Sequence, residues 1–239
     1  MYKNTKNLVL IIALLSFSVV SCIVTPAVGK GQRHTEMVEL DDAETVTAEI
    51  IMGAGKLVVQ SGTKALMEGE FIYNYPEYAA DISYQVRSTG RGDLQVVQDD
   101  GPRFRIQSNY KNEWELTFNE DIPLDLDVTL GAGESVLDLV DLNLTSFQLT
   151  IGAGTAYVDL SGDLDQDLNV SIQGGVGELT MLLPPDTNIE AVVHGGLGEI
   201  NTQGLYQEGD EFVSKYSGSG PVLNVSIDGG VGQLNLRVQ

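Results

Sequence analysis

The chain has 239 residues, of which 34 are acidic and 13 basic, giving a net charge of −21, and 42% are hydrophobic. That surplus of carboxylates leaves no basic stripe for phosphate contacts and excludes nucleic acid as a partner. A lone cysteine, Cys22, excludes an intramolecular disulfide and a thiolate metal cluster, while the apolar share is enough for a buried core.

At the N-terminus, Lys3 and Lys6 precede an apolar run from Leu8 to Val20. The run is too short for a spanning helix and fits the core of an export signal. It ends in Val19-Val20-Ser21-Cys22, which resembles a bacterial lipobox. The resemblance implies removal of residues 1–21, acylation of Cys22, and a protein held by its lipid on the extracytoplasmic side of the cell envelope, because several acyl chains anchor where one does not. Residues 22–38 then read as a tether, with Lys30, Arg33 and His34 ahead of the first acid, Glu36.

Residues 39–123 read as an N-terminal β region, least regular over residues 63–123. They contain one glycine element, Met52-Gly53-Ala54-Gly55. Short apolar runs follow at Phe71-Ile72-Tyr73, Ile82 to Val86, Leu94 to Val97, Phe104-Arg105-Ile106 and Trp114 to Phe118, separated by Gly and Pro. These are expected to be antiparallel strands that cap or widen whatever follows.

Residues 124–239 repeat. Gly131-Ala132-Gly133, Gly152-Ala153-Gly154, Gly175-Val176-Gly177, Gly196-Leu197-Gly198 and Gly230-Val231-Gly232 each sit between two alternating apolar stretches, the first four at steps of 21, 23 and 21 residues. Such a period, built from short strands and glycine bends, predicts an all-β solenoid whose coils stack about 4.8 Å apart. Val128, Leu149, Ile172, Val193 and Ile227 form one inward column, and Ala156, Leu179, Ile200 and Leu234 another beyond the bend. Thr129, Thr150, Gln173, His194 and Asp228 fall on the opposite, wet face. The last step is 34 residues. Its insert, Leu205 to Leu223, carries Tyr206, Phe212 and Tyr216 among glycines and serines, which suits contact with a protein or glycan and equally suits a cap over the end of the core.

The ordered set of Glu68 to Glu77, Trp114-Glu115-Leu116, Pro123-Leu124-Asp125-Leu126 and the glycine repeats resembles the bacterial toast-rack family, itself similar to the C-terminal domains of cell-wall-active-antibiotic-response proteins. The resemblance implies a β-solenoid at the bacterial envelope and brings no catalytic residues with it.

Chemical motifs are otherwise refuted by their surroundings. The glycine elements lead into a second strand, whereas a phosphate loop leads into a helix. Asp163, Asp165 and Asp167 open like a calcium loop, but Leu168 stands where Gly is required and Gly174 where the bidentate Glu belongs. Arg91-Gly92-Asp93 spells an adhesion tripeptide and reads as a charged strand turn. The expectation is therefore a protein without catalytic residues, metal or cofactor, acting as a binding or scaffold module of the adhesin kind toward an envelope protein or glycan. A sensor of envelope stress acting through a membrane partner and a carbohydrate-active β-helix enzyme are the alternatives.

Overall fold

The computed structural model describes residues 31–75, 78–98, 110–216 and 218–239. The export signal, Cys22 and the expected strand at Phe104-Arg105-Ile106 lie outside them. Alternation of aliphatic and polar residues yields strands β1 (Gln32–Val38), β2 (Thr45–Thr63), β3 (Met67–Tyr73), β4 (Ala80–Val86), β5 (Arg91–Gln98), β6 (Asn112–Asn119) and β7 (Leu124–Asp138). Strands β8 (Leu144–Asp159), β9 (Leu168–Leu183), β10 (Asn188–Gln203), β11 (Leu205–Glu208), β12 (Glu211–Ser214) and β13 (Val222–Val238) complete one mixed sheet. No α-helix occurs among the described residues.

Six long strands, β2, β7, β8, β9, β13 and β10, lie side by side in that order and are parallel. Each carries one glycine element at its middle, which divides it into a first and a second arm. Parallel neighbours ordinarily need a crossover of a dozen residues or more. Here only residues 139–143 join β7 to β8, because the strand doubles back at its glycines and ends near where it began.

The bend explains the glycines. A Cβ on Gly133 would overlap the carbonyl oxygen of Gly55, and the same holds for Gly154 on Gly133, Gly177 on Gly154, Gly232 on Gly177 and Gly198 on Gly232. Gly131, Gly152, Gly175 and Gly230 form a second such column, resting on Gly53, Gly131, Gly152 and Gly175. Gly177 in addition has φ of +151°, where side chains are strained.

Both arms send side chains into one core. Ala48, Leu126, Phe147, Val170, Val225 and Ala191 make a buried column on the first arms, and Val59, Leu137, Val158, Met181 and Leu236 one on the second. At β2 the sheet forks. The first arm continues into parallel β5 and antiparallel β4, the second into parallel β6 and then antiparallel β3 and β1. Four of the expected N-terminal strands, β3 to β6, are thus present as extensions of both arms, but β5 and β6 join β2 in parallel where antiparallel pairing was expected; Phe71 packs edge-on against Trp114 there at 5.5 Å between centroids.

The structure corrects one boundary. Residues 32–38, expected as tether, form β1, paired with β3 over its whole length. The strand is almost wholly exposed, so it has no apolar alternation to betray it, and backbone pairing with an Arg33–Glu70 salt bridge of 2.6 Å holds it. The all-β class and the parallel stacking of glycine elements are as expected, but the sheet is open and mixed, and it does not follow chain order. The last strand, β13, lies between β9 and β10.

Replacing Gly177 by Val should lower stability by about 3 kcal/mol or more, since backbone on the neighbouring strand cannot yield. Gly174→Ala, three residues away, should stay within about 0.5 kcal/mol, because its Cβ would meet nothing closer than 4.0 Å. Paired denaturant melts check the contrast, and equal losses would refute the column.

Candidate functional site

The insert between β10 and β13 folds as a hairpin of β11 and β12. β12 pairs with Glu190 to Val192 of β10, so the hairpin prolongs the first arm of the stack, and among the described residues no strand pairs with the far side of the second arm of β10. Ser214 fastens it: its Oγ donates to the Thr187 carbonyl at 2.8 Å and accepts from the Ile189 N–H at 3.0 Å. Asn188 Nδ2 donates to the carbonyls of Gly218 and Gly220.

The three aromatics of the insert part company. Phe212 packs against the core, whereas Tyr206 and Tyr216 are 45% and 37% exposed. Lys215 Nζ lies 4.7 Å from the centre of the Tyr206 ring, a cation–π contact. One insert therefore serves as cap through Phe212 and offers rings to solvent through the two tyrosines.

Beside the hairpin, the outer face of the first arms forms a depression of about 480 Å³. Ser146 and Gln148 of β8, Asn169 and Ser171 of β9, Asn224 and Ser226 of β13, Glu190 and His194 of β10 and Glu211 of β12 line it. In-register parallel pairing stacks like positions, so Asn224 Nδ2 donates to Asn169 Oδ1 at 3.1 Å. Amides and hydroxyls repeated at strand spacing give donors and acceptors suited to a ligand rich in hydroxyls. Of these residues, the sequence pattern placed His194 on the exposed face. It did not show the wall raised by Glu211, which depends on where the hairpin docks.

His194 and Asp228 are register partners on adjacent strands, but among the described residues no hydrogen bond joins them. No group of three or more His, Cys, Asp or Glu among the described residues is placed to hold a metal ion. The adhesion tripeptide opens strand β5, where both Arg87 and Arg91 hydrogen-bond the Asp93 carboxylate. The Arg87 bond above all holds that carboxyl below the ordinary range, so Asp93 is engaged within its own sheet.

Toward the other end of the same face, Glu49 and Asp127 are register partners, with Asp125 two residues from Asp127. Partial burial, then Glu49, then Asp125 push the Asp127 carboxyl up.

The architecture is that of a glycine-bent parallel β stack carrying a polar face and a terminal hairpin. The chain matches the family described as the N-terminal domain of toast_rack, DUF2154, over residues 27–182, and it belongs to the toast-rack family. A solved structure described as a "putative cell adhesion protein" from Clostridium sporogenes ATCC 15579 is 31% identical, with a TM-score of 0.85 over 88% of this chain and 100% of that one. A "putative adhesin" from Bacteroides fragilis NCTC 9343 is 13% identical over 86% of this chain and 97% of that one, at a TM-score of 0.35. No curated protein matches.

Two outcomes follow from this geometry. Phe212→Ala should cost about 1–3 kcal/mol, the loss of a partly buried ring, whereas Tyr206→Ala should leave the thermal midpoint within a degree or two, roughly the effect of about 0.5 kcal/mol. A destabilised Tyr206→Ala would refute the division of roles. At Asp127 the folded state holds its proton more tightly than the unfolded chain, so stability falls as pH rises through the folded pKa. Asp127→Asn should therefore raise the midpoint at neutral pH, and the gain should shrink on acidification to roughly pH 4, as thermal melts of both proteins would register.

Proposed function

We propose that the protein is a lipid-anchored binding module of the bacterial envelope, adhesin-like and without catalysis, that engages a glycan or protein partner through the polar depression and the exposed tyrosines beside it. The observation that carries this reading is the unbroken ladder of Asn, Ser and Gln side chains across β8, β9 and β13, walled by Glu211 of the hairpin. Tyr206, on β11 beside β12, and Tyr216 are exposed and are rings of the kind that stack on sugars or anchor partner contacts. Kinship with a structure described as a cell adhesion protein favours the same role.

Two further parts belong to the reading. The glycine-bent strands act as coils of a solenoid, a rigid extended scaffold on which a ligand face can be laid out. Acylation at Cys22, following removal of residues 1–21, holds that scaffold at the membrane on the extracytoplasmic side. The strongly acidic body, at a net charge of −21, is repelled by anionic headgroups and stands away from the surface it is tied to.

Expression of the wild type and Cys22→Ala in a bacterium, with detergent partition and metabolic labelling by a palmitate analogue, tests the anchor. Label and membrane retention should vanish in the variant. Capture of envelope glycans or proteins by the intact chain should be lost in Tyr206→Ala with Asn224→Asp while the far-ultraviolet spectrum stays β-like. Capture that survives both substitutions would move the binding site elsewhere.

A further inference from the structure

An apolar groove runs along the inside of the bend through the last three long strands. It has a volume of about 110 Å³ and begins at Ile151 and Gly154 of β8. Ile172 and Leu179 of β9, Ile227 and Leu234 of β13, and Val193 and Ile200 of β10 form its sides. It ends at the second arm of β10, which among the described residues has no strand beyond it. There the interior column loses its cover: Ile200 is 44% exposed, and Val176 on the bend of β9 is 60% exposed.

The groove exists because of a change in the repeat. The interior position just before each bend holds Met52, Leu130 and Ile151 in β2, β7 and β8, and Gly174, Gly229 and Gly195 in β9, β13 and β10. At Gly174 and Gly229 this owes nothing to crowding or to backbone conformation. A Cβ would find its nearest neighbours at 4.0 Å, the Asp228 carbonyl oxygen and the Gly196 Cα, and neither residue has a left-handed φ. These two differ from every glycine of the carbonyl columns. Their effect is to leave empty the space that three aliphatic side chains fill in the earlier strands.

The register makes the empty space straight over three strands, about 10 Å at the usual spacing, and its charge is one-signed. The ionisable residues along it are Glu178 and Glu199; none is Lys, Arg or His. Glu178 and Glu199 share one outward column through Gln233; Glu178 Oε1 accepts from Asn235 Nδ2 at 3.0 Å, and Glu199 lies exposed on β10 at the rim of the open end. In a chain of net charge −21, an anionic headgroup at that mouth is repelled and a cationic one attracted.

We propose that this groove binds the aliphatic chain of a cationic amphiphile, the chain lying along the glycine-lined interior and the ammonium emerging beside Glu199. The site is separate from the polar depression, and the inference does not depend on the function proposed for it.

The test uses the full chain carrying Cys22→Ala, titrated calorimetrically with decyltrimethylammonium below its micelle concentration, and in parallel with octyltrimethylammonium and decanoate. Binding should saturate at one site. The octyl compound should bind about tenfold more weakly than the decyl, as two methylenes withheld from an apolar site require, and decanoate at least as weakly. Gly174→Leu and Gly229→Leu, each filling the groove from a position with room for it, should abolish binding while keeping or raising the melting temperature, whereas Glu199→Gln should weaken it severalfold and spare the chain-length dependence. Unaltered binding in either folded leucine variant overturns the proposal, as does equal affinity for decanoate. Dimerisation that the leucine variants suppress would assign the groove to a second copy, and binding present in Cys22→Ala but blocked in the acylated wild type would assign it to the protein's own lipid; either result also overturns it.

Discussion

Backbone carbonyls stacked against glycine Cα atoms are the contact on which the rest of this molecule depends. Two columns of them run through the bends, from Gly55 through Gly133, Gly154, Gly177 and Gly232 to Gly198, and from Gly53 through Gly131, Gly152 and Gly175 to Gly230. A side chain at either column would force neighbouring strands apart. Without the bend, each strand would need a long crossover to meet a parallel neighbour; with it, five residues suffice between β7 and β8, and both arms reach one core.

The register imposed at the bend propagates outward. Because neighbours pair residue for residue, one type of side chain recurs along each column, and two faces of different character arise from one repeat. The inner columns are aliphatic and close the core. The outer columns of the first arms are mostly amides, hydroxyls and carboxylates, and they become a polar depression where the hairpin raises a wall. Where the repeat changes from an aliphatic residue to Gly before the bend, an inner column empties and a groove opens in its place.

The two ends are finished differently. At β2, each arm gains further strands, and Phe71, Trp114 and Phe118 bury the core beneath them. At β10, only the first arm is extended, by the hairpin, and Phe212 covers part of the interior. The second arm of β10 prepares for its position: Thr202 stands in the column where β2, β7, β8, β9 and β13 carry Val59, Leu137, Val158, Met181 and Leu236. A hydroxyl that would be costly inside the stack is at ease on its edge.

The sequence by itself determined the all-β class, the bends and the inner and outer columns, because a strand's period of two and a glycine repeat of nearly constant length are local properties written residue by residue. It pointed to the insert as an irregularity, and to Tyr206, Phe212 and Tyr216 within it. Only the tertiary structure decided that Phe212 turns in while the tyrosines turn out, that residues 32–38 are a strand, and that β13 slips between β9 and β10. Those outcomes rest on backbone pairing between distant segments, and hydrogen bonds of the main chain leave little mark on side-chain pattern. The groove too was decided in three dimensions: the change from Met52, Leu130 and Ile151 to Gly174, Gly229 and Gly195 is written in the repeat, but that it leaves open space depends on what surrounds each Cα.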